Sequence, residues 1–451
     1  MRLRPLALTL LLPLFAPLAV RAQGTPPVAP APFPPPPADS ARPITLAEAV
    51  QLAQRNAPAT VQARGALRTT GAAVRSAYAA FIPTLNINAS TVQQSPATAR
   101  VNPTTNEITS GRWSLTEGFS SSVDLFDGFR RVYDVRSAKA QVNAAESSEL
   151  AQRYQVQLQV SQQYYAALAA AEAESAALAQ LSQAEQQLRV TAAKVRARAA
   201  TTSDSLRSRI QLGSAQLALL SARNDRLAAD AALTRLVATP FTVTASPQDS
   251  AATFRPVEVD SASLARLAAE GPLVQQAQGN ADAARAASRA ARAPYLPTLS
   301  VGYSRNRAAS QAQFDLFPND YNSSGSLRFS LSYPLFNQYQ REEGIVRADV
   351  AQTNADAALR DARLAAQQSL TQYLGALRTA EAQIAIQAAT VTAAEEDLRV
   401  QQQRYELGAS TLLDVLTSQT QLTQARVALI LARFNARVAK AQLDALVGRT
   451  L

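Results

Sequence analysis

The chain has 451 residues and a formal net charge of +10, and it contains neither cysteine nor histidine. This composition excludes disulfides, thiolate metal sites and a lipid-modified N-terminal cysteine, and it removes the commonest general base and metal ligand. We therefore expect no enzyme activity, no metal and no cofactor. The basic residues are scattered among acids rather than gathered into a patch with aromatic residues, which argues against nucleic-acid binding.

Residues 1–22 have the pattern of a secretory signal peptide. Arg2 and Arg4 precede an apolar run over 6–20, and Val20-Arg21-Ala22 is a small-x-Ala processing site. The apolar run is too short to span a bilayer of about 30 Å, so a transmembrane anchor is disfavoured. We expect an exported protein without a lipid anchor.

A stretch rich in proline and alanine, residues 23–43, predicts an extended tether outside any folded domain. The first structural repeat is expected to cover 44–238. It begins with a short helix that Thr45 caps, and a second helix stops before Pro83.

Two long strands are predicted next, at about 84–93 and 113–126. Apolar and polar side chains alternate along both, which is typical of a strand whose two faces meet different solvents. The second strand would be about 40 Å long, more than most soluble strands. The polar segment 94–112 is expected to form an exposed loop between them.

Residues 129–199 contain neither proline nor glycine and predict one helix of roughly 100 Å. After a break near residues 200–203, a further helix carries residues at alternating steps of four and three, the spacing of a coiled-coil seam. The seam residues are Leu206, Ile210, Gly213, Leu217, Leu220, Asn224 and Leu227.

The second half repeats the first. After a crossover at 239–259, the second repeat is expected over 260–451, with strands at about 298–305 and 324–336. Many identical residues recur at a constant spacing of 210, which predicts an internal duplication. A strand-to-helix turn is expected in each half, formed by Phe126, Asp127 and Gly128 in the first and by Phe336 and Asn337 in the second.

Four amphipathic strands per chain would leave two open sheet edges in lipid, where each unpaired backbone group costs several kcal/mol. Other chains must therefore close the sheet. Two chains give eight strands and a filled interior, whereas three give twelve and room for water, which suits the small polar inward residues better. Because the strands form hairpins, all helices leave on one side of the membrane and would continue the barrel as a tube. The alternative is a coiled coil that only spaces two objects.

Several segments carry a resemblance to a known family: the helix start Ile44–Ala49, the strand starts Phe81–Leu85 and Tyr295–Leu299, the turn Leu125–Gly128, and Arg404–Leu416. The chain resembles the TolC-like outer membrane efflux family (outer membrane factors). The resemblance implies an α+β membrane protein: a homotrimeric 12-stranded transmembrane β-barrel in outer membrane lipid, continued by a long periplasmic α-helical coiled-coil tunnel. It also implies docking to a periplasmic adaptor of an inner membrane pump, which would be a proton-driven exchanger or an ABC transporter.

The same resemblance assigns residues to the periplasmic end of the tunnel. The adaptor-contact tips would be Leu407, Gly408 and Ala409 in one loop and Arg198, Ala199 and Ala200 in the other. Asp414 would contribute to an acidic ring at the entrance, weakened because Thr417 replaces a second acid. Tyr405 and Asp204 would form a hydrogen-bonded latch, and Ser410 takes the place of an arginine that strengthens the closed state.

The expected function is the passive exit channel of a tripartite efflux system. The alternative with the same fold is the outer membrane component of type I protein secretion, which the sequence does not separate because the inner membrane pump selects the cargo. A structural spacer is the third candidate.

Overall fold

The computed structural model describes residues 41–101, 108–249, 260–311, 313–315 and 321–451. The signal peptide and nearly all of the proline-rich tether lie outside these residues. So does most of the second half of the crossover.

The described part of the chain contains eight α-helices and six strands. The helices are α1 (Leu46–Asn56), α2 (Pro58–Ala79), α3 (Arg130–Arg196), α4 (Thr202–Val237), α5 (Ser261–Ala269), α6 (Pro272–Ala291), α7 (Gln340–Glu406) and α8 (Leu412–Val447). The strands are β1 (Arg42–Ile44), β2 (Thr84–Val101), β3 (Ile108–Phe126), β4 (Val243–Ala245), β5 (Thr298–Gln311) and β6 (Asn322–Ser332).

The order of elements repeats. Two helices, two antiparallel strands, a long helix and a shorter helix occur once in each half. The long helices α3 and α7 both have 67 residues, and α4 and α8 both have 36. Equal lengths in both halves agree with the constant spacing of matching residues in the sequence.

The four long strands form one antiparallel sheet in the order β2-β3-β5-β6. Within the described chain, β2 and β6 each have one unpaired edge. Several large apolar side chains at odd positions lie exposed on one face, with Ile87 86% and Leu331 73% exposed, although Leu115 in β3 is buried. An isolated copy therefore presents both open edges and apolar surface to its surroundings.

The predicted strand ends need correction. Strand β2 continues to Val101 and β3 starts at Ile108, so most of the expected loop 94–112 belongs to the sheet, with a register shift between Gln93 and Thr98. Pairing uses backbone groups, so polar side chains do not end a strand. Strand β5 likewise runs beyond 305 to Gln311.

The last strand is shorter than expected. Strand β6 ends at Ser332 rather than at 336. Pro334 follows closely, and proline has no N–H to donate to the sheet.

A small clasp ties the start of the folded chain to the crossover. Strand β1 pairs in parallel with β4, so Arg42 and Pro43 belong to the fold and not to the tether, and the crossover contains a strand. Tyr164 of α3 is fully buried beside this pair, with its hydroxyl 3.0 Å from the carbonyl oxygen of Ile44. Burial, and next the hydrogen bond to the Asp249 carboxylate, raise the pKa of Tyr164.

The largest core cluster lies around this clasp and joins α1, α3, α4 and α8. A smaller cluster in the second half joins α5, α7 and α8. Towards the far end, Leu398, Val415 and Leu422 hold α7 against α8. The main core thus lies near the middle of α3, and beyond it α3 with α4 and α7 with α8 continue as two hairpins.

Helix α4 packs on α3 through a different face from the predicted seam. Its buried residues include Ser208, Ala215 and Leu219, whereas Ile210 is 70% exposed and Leu217 69% exposed. The other apolar seam residues are exposed as well, so this stripe has no partner within the described chain. No helix in the described ranges combines the length and apolar character needed to span a bilayer.

Candidate functional site

The two helix-to-helix tips share one backbone design. In the first tip, α3 ends in a turn where Ala199 N donates to Lys194 O at 2.8 Å and Arg198 has φ +57°. In the second, Ala409 N donates to Arg404 O at 2.7 Å and Gly408 has φ +75°. Residues 198 and 408 correspond in the 210-residue register, so arginine occupies a left-handed position that glycine occupies in the other half.

A capping box starts the helix after each tip. In the first, Asp204 N donates to Thr201 Oγ1 at 3.2 Å, and Thr201 N donates back to Asp204 Oδ2 at 3.1 Å. In the second, the same two bonds join Asp414 and Thr411 at 3.3 and 2.8 Å. Each carboxylate also accepts from the threonine hydroxyl, at 2.7 and 2.8 Å respectively. Reciprocal bonds of this kind satisfy free N–H groups at a helix start.

The predicted contact residues project from these tips. Leu407 is 84% exposed, and Arg198, Ala199, Gly408 and Ala409 are exposed, while Ala200 is half-buried. Their contact with an adaptor stays a prediction.

The two tip acids are held by their caps. Hydrogen bonding lowers the pKa of Asp204, chiefly through the Thr201 side chain, and the pKa of Asp414, chiefly through the Thr411 backbone. Both carboxylates are therefore ionised at neutral pH. A ring of Asp414 side chains stays a prediction, because it requires further copies of the chain.

The expected hydrogen bond between Tyr405 and Asp204 is not formed within the described chain. Asp204 is engaged by Thr201, and Tyr405 Oη has no hydrogen-bond partner although it is buried. Thr191 lies beside the phenol, but its hydroxyl donates to Gln187 O at 2.9 Å. Burial, and next the negative charge of Asp204, raise the pKa of Tyr405.

Lys194 of α3 contacts Tyr405 instead. Its Nζ lies 4.1 Å from the centroid of the Tyr405 ring, within the range of a cation–π interaction. Lys194 was not predicted from the sequence, because nothing in the spacing of residues 194 and 405 indicates that they meet. The sequence offered one signal for Lys194, which is that lysine is rare: the chain has only three.

Ser410 and Thr417, where the family resemblance led us to expect an arginine and an acid, bond to nearby backbone. Ser410 Oγ donates to Gln401 O at 3.4 Å, and Thr417 Oγ1 donates to Leu413 O at 2.8 Å. Neither side chain brings a charge to the second tip.

The tips differ in charge. Residues 194–209 include one acid, Asp204, and five basic residues: Lys194, Arg196, Arg198, Arg207 and Arg209. Within the described part of the chain, none of these five forms an ion pair with a carboxylate. The matching window, residues 404–419, contains one basic residue and two acids.

The strand-to-helix turns lie at the opposite end of the long helices. Asp127 Oδ2 accepts from the backbone N and the Nε of Arg131, at 3.0 and 2.9 Å. Gly128 has φ +69°, and a Cβ there would lie 2.6 Å from Ala293 O, so the turn requires glycine. Phe126 packs edge-on against Phe129 at 5.4 Å.

The second turn repeats this arrangement with different residues. Phe336 packs edge-on against Tyr339 at 5.6 Å, and Asn337 O accepts from Gln340 N at 3.2 Å. Tyr339 has φ +61°, where the first turn has Phe129 at φ +64°. These residues fix the angle between sheet and helix and lie far from the tips.

Comparison with known proteins identifies the family that has this architecture. A family model for outer membrane efflux proteins matches residues 49–239 and 264–449. The chain belongs to the outer membrane efflux protein family. It is therefore an outer membrane protein and the outer membrane component of an efflux or secretion system.

Similar proteins cover most of the chain. Protein CyaE of Bordetella pertussis is 27% identical over 402 residues, which cover 87% of this chain and 81% of that protein. The pyoverdine export outer membrane protein OpmQ of Pseudomonas aeruginosa is 28% identical over 348 residues, covering 72% of this chain and 68% of the relative. The outer membrane protein VceC of Vibrio cholerae has the same fold, with a TM-score of 0.72 at 18% identity over 90% of this chain and 96% of that structure.

Proposed function

We propose that this outer membrane efflux protein is a homotrimeric duct whose three four-stranded sheets close into one twelve-stranded barrel. The observation that carries the proposal is the pair of open edges on β2 and β6. Edge groups left unpaired in lipid would each cost several kcal/mol, and pairing β6 of one copy with β2 of the next removes every edge. We further propose that the two halves of the chain arose by duplication.

The exposed stripe on α4 supports a second zone of contact between copies. Apolar residues such as Ile210 and Leu217 have no partner in the described chain. Helix α7 carries an exposed apolar residue, Ile386, on the half that lies nearer its tip. Packing α4 of one copy against this half of α7 of another would bury these apolar side chains and extend the barrel into a tube of helices.

The tips form the periplasmic entrance in this proposal. They contact an adaptor that connects the duct to an inner membrane pump, and three copies of Asp414 line the opening. Because Asp414 is ionised at neutral pH, such a ring would favour cations.

Cysteine cross-linking tests the closure of the sheet, because the chain has no cysteine of its own. One cysteine replaces Asn86 in β2, and a second replaces Ser326 or Ser330 in β6. Oxidation of the purified protein should link three copies into a covalent trimer. Ser120→Cys in β3 combined with the same β6 cysteines is the matched control, because β3 is paired on both sides, and it should give only monomers. Monomers from every β2 and β6 pair would contradict the proposal.

A further inference from the structure

Tyr405 sits where two hairpins meet near the tips. Its ring packs with the cluster of Leu398, Val415 and Leu422 that holds α7 against α8. The side chain of Lys194, which reaches the ring from α3, belongs to the other hairpin. The contact therefore joins the first tip to the second within one chain.

Lys194 contacts the face of the Tyr405 ring and not its hydroxyl. The ammonium group of Lys194 lies 4.1 Å from the ring centroid, and no carboxylate within the described chain pairs with it. The hydroxyl of Tyr405 lies beside Thr191 but forms no hydrogen bond of ordinary geometry with it or with another group in the described chain. A ring whose hydroxyl has no partner is held by its π face and its apolar contacts, so phenylalanine would serve equally well.

The surroundings hold Lys194 in position. Thr191, one turn earlier on α3, is fully buried, and Ser208 Oγ of α4 donates to its hydroxyl at 3.2 Å. Gln187 Nε2 donates to the same hydroxyl, also at 3.2 Å. The first hairpin is thus locked together directly beside the lysine.

We propose that Lys194 is a positioning residue that clamps the Tyr405 ring through a cation–π contact and holds the second tip in its resting, narrow position. This inference rests on the proposed function, because it assumes that the tips bound the entrance of a duct. A duct left open would let solutes return through the outer membrane, so the resting position is the narrow one.

Planar-bilayer recordings of the purified trimer test the clamp. Lys194→Met keeps the length of the side chain and removes the charge. It should raise the ratio of open to closed channels by roughly 10- to 100-fold, because one contact is lost in each of three copies that open together. Tyr405→Leu should give the same increase, and the two changes combined should add little more.

Three variants separate the clamp from a general loss of structure. Lys194→Arg keeps the cation, and Tyr405→Phe keeps the ring, so both should behave as wild type. Lys139→Met removes a lysine of the same helix whose Nζ lies 5.4 Å from the Tyr78 ring centroid at the distant end, and it should leave conductance unchanged. An increase with Tyr405→Phe equal to that with Tyr405→Leu would overturn the clamp in favour of a hydroxyl latch.

A spin label gives a readout that does not depend on conduction. A nitroxide on Ala409→Cys should become more mobile with Lys194→Met and stay at the wild-type mobility with Lys194→Arg. Unchanged mobility and conductance in Lys194→Met would refute the clamp while leaving the duct intact. A trimer that conducts in neither the wild type nor Lys194→Met would instead refute the proposed function, and the label would still decide the clamp.

Discussion

The two tips adopt the same backbone with different residues at their sharpest point. Gly408 takes a positive φ without cost, whereas Arg198 takes nearly the same φ against its steric preference. Both turns are followed by a threonine and aspartate capping box at the same offset. The difference teaches that the capping box and the flanking helices dictate this turn, and that glycine only makes it easier to form.

The two tips also differ in the charge of the residues around them. The first is surrounded by five basic residues and one acid, and the second by one basic residue and two acids. Two tips of equal geometry therefore present different surfaces to whatever docks there. Each variant below changes one tip and leaves the other as an internal control.

Exchange of the two left-handed residues should have the largest effect on tip stability. Gly408→Arg should lower the free energy of local opening at the second tip by about 1–2 kcal/mol, because a Cβ is disfavoured at that φ. Arg198→Gly should raise the free energy of local opening at the first tip, because glycine adopts this φ without strain. The gain should be smaller than the loss in Gly408→Arg, since glycine also gains entropy when the chain opens. Hydrogen exchange of peptides from the two tips measures both changes. Equal exchange in Gly408→Arg and wild type would show that the turn is not strained.

Loss of a cap should have a slightly smaller effect. Thr411→Ala removes the hydroxyl that accepts from Asp414 N and should destabilise the start of α8 by about 1 kcal/mol. Thr201→Ala should do the same at α4, and serine at either position should restore the cap. Hydrogen exchange at the first turn of each helix is the measurement. A cap variant that loosens the opposite tip instead would contradict the independence of the two hairpins.

Acid should weaken both caps. The folded-state pKa values of Asp204 and Asp414 are lowered, so the stability that the two carboxylates contribute is present above their ordinary value of about 4. This stability is lost as the pH falls through the lowered pKa values of the folded state. Nitroxides on Ala199→Cys and Ala409→Cys should gain mobility below about pH 4 and not between pH 6 and 8. Asp414→Asn should abolish this acid response at the second tip alone.

The smallest expected effect concerns ion selectivity. Asp414→Asn removes a charge but keeps an oxygen that accepts from Thr411, so the cap should survive. The cation-to-anion permeability ratio should fall by roughly twofold at low salt and less at 1 M salt, where charges are screened. Asp204→Asn, among basic neighbours, should change the ratio less. An unaltered ratio in Asp414→Asn would rule out the acidic ring.

Much of this fold follows from pattern. The alternation in residues 113–126, the uninterrupted helix after residue 129 and the 210-residue spacing identify every long element, because each is a repeated local signal. Gly408 and Arg198 were also predicted to lie at corresponding turns of the two halves, and both do. Local periodicity is sufficient where an element is long.

Short elements and contacts between distant parts of the chain were not predicted, because they leave no repeated local signal in the sequence. The three-residue strands β1 and β4 carry too few residues for a pattern, and they are stabilised by pairing across about 200 positions and by the buried Tyr164. The Lys194 and Tyr405 contact joins helices from different halves of the chain. The pairing of Asp204 with Tyr405 came from the family resemblance, whereas the threonine three residues before Asp204 was the local signal for the cap that forms.

The closure of one conducting barrel by several copies of the chain can be measured directly. Purified mature protein, extracted in detergent, should have the mass of three chains, and insertion into a planar bilayer should give discrete steps of ionic current. A water-soluble monomer that never conducts would contradict the account.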